Sequence, residues 1–387
     1  PANLASLAAL PDVENEACAD ERRSWRVPRL VSASATRHER FRLCVHARGS
    51  ISSLYVEAMP PVAPDDEVCA VVTSPATVEI LIRAAGLNFR DVLDVLGLYP
   101  QATPELCPGD DCAGVVQRHG DTSGRASDER VFGSPGFAPG LSCFASHAIV
   151  AAALIAPMPV PLSFEQACTL PTTFSTIITA FEVLRLRAAA GLLMHAAGGG
   201  VGLVGCETAV WMGARLLATV GKPGKHRTLR QDLGIQCTLS SREGGAFGRA
   251  SSIMGGTRSH AALNSLSVDF IPVSVGLLTE GGNMLEIGKR SVWGGGRMTA
   301  AVGATRHLVA LDIAALAPAQ PQWYHRVLQL LTRRVEAGAL NSLPLQSFEL
   351  TRRVQQAYRL LQSGENIGKV VLRIVADEEP RSSVADG

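Results

Sequence analysis

An α/β architecture of two differently built units is predicted, a β-rich unit joined to a doubly wound parallel sheet. Three observations predict it. Over residues 191–289 short apolar runs alternate with helix-like stretches, the pattern of a parallel sheet wrapped on both faces. Over 41–150 the apolar runs are broken by Gly, Pro and Asp, which suits a barrel-like β unit. A chain of 387 residues is long enough for two cores, since domains usually run about 100–200 residues.

Residues 1–40 are Arg-rich without sustained periodicity, and 375–387 are polar and acidic, so both ends read as linkers. Pro1 in place of an initiator Met implies a chain cut from something longer, or processed. "FRLCV" (41–45), "VEILIRAAG" (78–86) and "CAGVVQRHG" (112–120) are the strand-like runs of the β-rich unit. Residues 163–184 open with a Ser cap and Glu165 and place small and apolar residues at helical spacing around Pro171, which predicts a helix pair. From 191 the order is strand "GLLMHAA", a helix over 200–213 burying Val201, Val204, Ala209 and Trp211, strand "RLLATV", and helix "KHRTLRQDLG" ending at Gly234. Strands "CTLSS" and "HAALNSL", a helix over 268–278 and strand "NMLEIGK" follow. After 300, two amphipathic helices (324–338 and 351–364) each stop at Gly. "GKVVLRIV" is a last strand that rejoins the β-rich unit.

Charge is balanced, with 36 basic and 35 acidic residues and a net charge of +1, so no nucleic-acid partner is indicated. No apolar run approaches the roughly 18–20 residues of a membrane span, and the N-terminus has no charged segment leading into a hydrophobic one. A soluble, cytoplasmic chain without a membrane partner is expected. Nine cysteines sit singly, without a CxxC pair. The nearest two, Cys107 and Cys112, read as reduced thiols in a loop rather than as zinc ligands.

The turn "HAAGGGVG" (195–202) carries the spacing A-x-G-x-x-G on Ala197, Gly199 and Gly202, with Gly198, Gly200 and Val201 between them. Between a strand and its helix, such a turn offers bare backbone N–H groups to a diphosphate; glycines at a strand end also serve purely structural turns. At the end of the second strand, where Asp or Glu would meet a ribose 2′-hydroxyl, stand Val220 and Gly221, followed by Lys222, Lys225 and Arg227. Cations without a carboxylate suit a 2′-phosphate, so the predicted cofactor is NADPH. Cations at a helix start oppose its dipole, so an anion is expected to offset them.

Taken together, "AAGLNFRDVLDVLGLYP" (84–100), "HAAGGGVG", "GKH" (224–226), "LNSL" (263–266), "GGNMLEIGK" (281–289) and "NIGKVVL" (366–372) resemble the enoyl reductase domain of polyketide synthases and animal-type fatty acid synthases. That domain belongs to the zinc-free branch of the medium-chain dehydrogenase/reductases. The resemblance covers roughly 26–374. It implies a GroES-like substrate domain split over 41–155 and 300–374, and a Rossmann NADPH-binding domain over 156–299. Zinc-dependent relatives carry a Cys near the NFRD position and a downstream His-Glu pair, where this chain has Phe89-Arg90-Asp91 and "PGDDCAG". No metal site is predicted.

The resemblance further implies that Lys289 donates a proton, that Asp312 is its acid partner, that Tyr99 acts at the α-carbon, and that Asn88 faces nicotinamide and substrate. The matched motifs add Asn264, Gly288 and Lys369 to the cofactor site. Taken alone, Lys289 also reads as an exposed strand-end cation, Asp312 as a helix cap, Tyr99 as a packing aromatic and Asn88 as a turn residue; His195 reads as structural. The expected activity is NADPH-dependent reduction of trans-2-enoyl thioesters on an acyl carrier protein, beside other synthase domains and in a homodimer formed through the parent synthase. The alternatives are a free-standing zinc-free quinone or enone reductase, and a degenerate domain kept for scaffolding.

Overall fold

The structure, a computed structural model, describes residues 40–59, 76–99, 108–120, 122–137, 141–243, 256–266, 270–289 and 307–374, with short pieces at 18–19, 25–26, 250, 296–297 and 300. The chain divides into two units, Pro1–His38 and Glu39–Gly387. In the first, β1 (Cys18–Ala19) pairs antiparallel with β2 (Trp25–Arg26). The expected linkers at 1–40 and 375–387 lie almost wholly outside the described residues, as does Cys107.

The second unit holds two large sheets. A hairpin of β3 (Phe41–Val45) and β4 (Leu54–Ala58) precedes a mixed sheet built on β5 (Thr77–Leu87), β6 (Asp111–His119), β7 (Arg130–Gly133), β8 (His147–Ala151) and β9 (Ile155–Pro157). The chain returns to that sheet with β16 (Leu345–Glu349) and β17 (Lys369–Arg373), and β17 pairs antiparallel with the end of β5. The predicted return of "GKVVLRIV" is therefore observed. Helix α1 (Phe89–Val95) starts directly after β5.

Between these parts lie helices α2 (Phe164–Ala167) and α3 (Pro171–Leu184), the predicted pair, with the Ser163 hydroxyl capping α2 by accepting from the Gln166 N–H. Together Phe164–Leu184 is long and apolar enough to cross a membrane, contrary to the sequence expectation, but 78% of its apolar 18-residue window is buried inside the fold. Its Ile177, Ala180 and Phe181 pack in the core instead.

The parallel sheet runs β10 (Gly191–Met194), β11 (Arg215–Val220), β12 (Thr238–Ser240), β13 (Ser259–Asn264), β14 (Leu278–Glu286) and β15 (His307–Ala310). Its spatial order, β12-β11-β10-β13-β14-β15, is the Rossmann order with the switch point between β10 and β13. Helices α4 (Gly200–Trp211), α5 (Pro223–Gln231) and α6 (Phe270–Leu277) connect these strands. Helices α7 (Ile313–Ala319), α8 (Pro321–Glu336) and α9 (Leu350–Ser363) lead back to the mixed sheet.

The parallel sheet thus extends past the boundary expected at 299, because β15 pairs with β14. Leu308-Val309-Ala310 is a short apolar run that lies largely exposed at the sheet edge and leads into α7 after two residues, so the sequence pattern does not separate it from the helix that follows.

Strand pleating explains the core. Leu192 and Met194 point into a core shared with α3 and the mixed sheet, whereas Leu193 joins Leu217, Ala262 and Met284 on the opposite face. On α4, Val204 and Ala209 are buried as expected, but Val201 is half-buried and Trp211 is 80% exposed at the helix end. Replacing Leu193 with Ala should cost about 2–5 kcal/mol in urea denaturation, whereas Trp211→Ser should stay within about 0.5 kcal/mol.

Candidate functional site

The carboxyl edge of the parallel sheet meets the mixed sheet at a cleft of about 560 Å³. Strand β10 ends at Met194, and the chain turns through Ala196, which holds a left-handed φ of 50°. Gly199 caps α4 with extended backbone and without a side-chain bond, so the N–H groups of the first helical turn face outward for an acceptor. A Cβ on Gly202 would lie 2.3 Å from the Ala196 carbonyl oxygen; only glycine lets the helix rest on the turn. A Cβ on Gly198 would meet the Lys225 side chain at 2.7 Å. Gly198 to Gly202 all line the cleft, while Ala197 is buried beneath it. The Gly198 carbonyl also accepts from the Gly368 N–H, at 3.3 Å.

Of the three cations predicted after β11, one lines the cleft. Lys225 is buried to 9% exposure, with its stem along Gly198. Burial, reinforced by Arg242 and Lys222, lowers its pKa to about 8. Lys222 turns to Glu365, with Nζ 3.1 Å from Oε1, and Arg227 is exposed on α5 outside the cleft. Arg242, just past β12, lines the cleft instead and borders Gly221. Sequence reasoning missed it because it searched only the end of the second strand; the signal was the Arg of "SSRE" at the end of the third.

Below the glycine turn lies a buried carboxylate with donors from four segments. Asp111, fully buried at the start of β6, accepts from Lys369 Nζ (2.8 Å), Asn88 Nδ2 (3.1 Å), Ser134 Oγ (2.6 Å), and both the hydroxyl (2.5 Å) and N–H (3.2 Å) of Thr172. Tyr324 extends the network by donating to Ser134 Oγ at 2.7 Å. Lys369 Nζ also donates to Asn88 Oδ1, and a Cβ on Gly200 would lie 3.6 Å from the Lys369 Cδ. Asn88 lines the cleft, but both ends of its amide are held by this network. Asp111 was not singled out from the sequence; an acid pair opening an apolar strand, "GDDCAG", was the available signal.

Lys289, Asp312 and Tyr99 come together across the cleft. Lys289 Nζ lies 2.8 Å from Asp312 Oδ2, and the Tyr99 hydroxyl donates to the same oxygen at 3.5 Å. Burial would raise the Asp312 carboxyl, but the Lys289 hydrogen bond and charge outweigh it and hold it below its ordinary range. Asp312 is also the N-cap of α7, accepting from the Ala314 N–H at 3.1 Å, so cap and ion-pair roles coexist. Burial, and then Asp312, push the Tyr99 phenol up to about 12. The Arg90 guanidinium sits 5.2 Å from the Tyr99 ring centre and pairs with Asp110 at 2.9 Å.

The loop carrying Lys289 is fixed from beneath. Glu286 accepts from the Gly288 N–H (2.6 Å) and from Asn264 Nδ2 (2.5 Å), while Asn264 Oδ1 accepts from the Leu266 N–H (3.2 Å). Burial pushes the Glu286 carboxyl up to about 7. Asn264 is buried and shapes the loop, whereas Gly288 lines the cleft. His195, as expected, is structural: it bonds Thr219 and Ser274 hydroxyls, and burial lowers its pKa to about 3.

These residues fit a nicotinamide dinucleotide. The turn is bare where a diphosphate would approach, and Lys225 has no carboxylate partner among the described residues. Among the described residues no group of three His, Cys, Asp or Glu side chains is placed to hold a metal ion.

A zinc-binding dehydrogenase family model matches residues 248–372. The chain is 34% identical over 325 residues to the spectinabilin polyketide synthase system protein NorB of Streptomyces orinoci, covering 83% of this chain and 14% of that protein. It is 32% identical over 324 residues to a highly reducing polyketide synthase of Aspergillus terreus, covering 81% and 12%. The chain therefore spans a small part of the synthase proteins it matches. Among solved structures, the CurK enoyl reductase aligns with a TM-score of 0.77 and 28% identity, covering 87% of this chain and 100% of that one. The Escherichia coli quinone oxidoreductase complexed with NADPH shares the fold, with a TM-score of 0.73, 23% identity and coverage of 86% and 100%.

Replacing Asp111 with Ala should cost about 3–5 kcal/mol in urea denaturation, because Lys369 would stay buried without its carboxylate. Pairing Asp111→Leu with Lys369→Met should recover part of that loss.

Proposed function

Because the chain belongs to the enoyl reductase domains of polyketide synthases, within the medium-chain dehydrogenase/reductase superfamily, we propose that it reduces trans-2-enoyl thioesters carried on an acyl carrier protein, with NADPH as reductant. The observation that carries this reading is the Lys289–Asp312 pair in the same cleft as the bare glycine turn. Bound there, NADPH would supply hydride to the β-carbon of the conjugated thioester. Gly198 to Gly202 would take its diphosphate, and Lys225 with Arg242 its 2′-phosphate. Lys369, whose ammonium has three donors and two protein acceptors, would add countercharge near the turn.

Reduction leaves negative charge on the thioester oxygen and requires a proton at the α-carbon. Lys289 would supply both countercharge and proton: its N–H bond breaks as the new C–H bond forms, and the amine is reprotonated from water. Asp312, 2.8 Å from Nζ, would keep that side chain oriented. Tyr99 keeps its own proton at neutral pH and stands against the same carboxylate. Asn88 acts through Lys369 and Asp111 rather than by direct reach to substrate. We further propose a substrate domain over 41–155 and the residues after β15, a nucleotide domain between them, and work in the cytoplasm beside other synthase domains in a homodimeric parent synthase.

Mixing the protein with an enoyl-N-acetylcysteamine thioester should consume NADPH, and Lys289→Met should lower kcat by about 10²–10⁴-fold. Turnover of a quinone but of no enoyl thioester would instead identify a free-standing quinone reductase, and turnover of neither a scaffold. Lys225→Ala should weaken NADPH by roughly 10–100-fold, the worth of one charge-assisted contact, with little effect on NADH. Because the Lys225 amine loses its proton near pH 8, NADPH affinity measured by calorimetry should fall between pH 7 and pH 9 while NADH affinity changes little.

A further inference from the structure

Four of the 36 Lys and Arg residues are lysines: Lys222, Lys225, Lys289 and Lys369. The other charge is carried by arginine, which stays protonated in proteins and offers no nucleophilic nitrogen. Three of the four lysines line the cleft, and Lys222 caps the helix that carries Lys225. Side-chain amine chemistry is therefore concentrated at this site.

The four amines are not equivalent. Lys222 is held by Glu365, Lys289 by Asp312 and Lys369 by Asp111, each with a carboxylate oxygen within 3.1, 2.8 and 2.8 Å respectively. Each of those three amines is thus engaged by a hydrogen-bonding acceptor. Lys225 has no carboxylate partner among the described residues, is 9% exposed, and has Lys222 and Arg242 as its charged neighbours. A desolvated amine among cations is the arrangement that makes lysine a nucleophile near neutral pH.

We propose that Lys225 is the acyl-accepting amine of this chain, a modification site at which an acyl thioester acylates Nζ and closes the adjoining phosphate pocket. The neutral amine attacks the thioester carbonyl, a C–N bond forms, the C–S bond breaks, and the departing thiolate takes up the proton released by nitrogen. The products are an amide and a free thiol, and no oxidant or reductant enters. Acylation removes the positive charge beside Arg242 and adds carbon atoms where the Lys225 stem already lies against Gly198. The site's reactivity stands on the four amines alone; its effect on cofactor binding rests on the NADPH reading above.

The test is to incubate the full chain with S-acetyl-N-acetylcysteamine at pH 8, with and without NADP⁺, and to map acetylation of all four lysines by peptide mass spectrometry. Lys225 should react faster than any other lysine by roughly tenfold or more, from its larger free-amine fraction, and NADP⁺ should slow that reaction. In Lys225→Arg the fast acetylation should disappear. Even labelling, a faster reaction at Lys222 or Lys289, or no labelling would overturn the proposal. Fast acetylation of Lys225 that NADP⁺ does not slow would uphold the modification site and remove the 2′-phosphate assignment instead.

Discussion

The cleft depends on one buried carboxylate. Asp111 accepts hydrogen bonds from β17 through Lys369, from the approach to α1 through Asn88, from the end of β7 through Ser134 and from α3 through Thr172. A fully buried anion is tolerable only when its lone pairs are satisfied. Five donors from four segments meet that demand, and in doing so they fix those segments to one another. Lys369 then lies beneath the glycine turn with its charge compensated on one side and the cleft on the other.

From that base the site divides by charge. Toward α5, Lys225 and Arg242 stand together, and a helix start crowded with cations is electrostatically unfavourable until an anion arrives. Toward α7, Lys289 and Asp312 neutralise each other and bring Tyr99 against the same oxygen. One end of the cleft thus carries excess positive charge, and the other a neutral ion pair. The Glu286 clamp on Gly288 and Asn264 keeps the loop leading to Lys289 in place between them.

The alternation of apolar runs and helices foretold the order of β10 to β14, since buried parallel strands leave a continuous apolar signature. It missed β15, whose short run Leu308-Val309-Ala310 merges with the apolar start of α7, and it buried Trp211, which helical spacing alone cannot distinguish from a core position. The glycine turn and the lysine at a strand end were legible because their chemistry is local in sequence. Asp111 was not, because its donors come from positions 88, 134, 172 and 369. Arg242 escaped for a related reason: it stands twenty-one residues beyond Gly221, just past the neighbouring strand, and only the parallel pairing of β11 with β12 brings it back.

In the proposed function, the buried cation beside the glycine turn is matched by a phosphate of the dinucleotide. A crystal structure with NADP⁺ bound tests it most directly. The diphosphate should lie over Gly198–Gly202 and the 2′-phosphate against Lys225 and Arg242. A dinucleotide lying with that phosphate in solvent, away from both side chains, would contradict it.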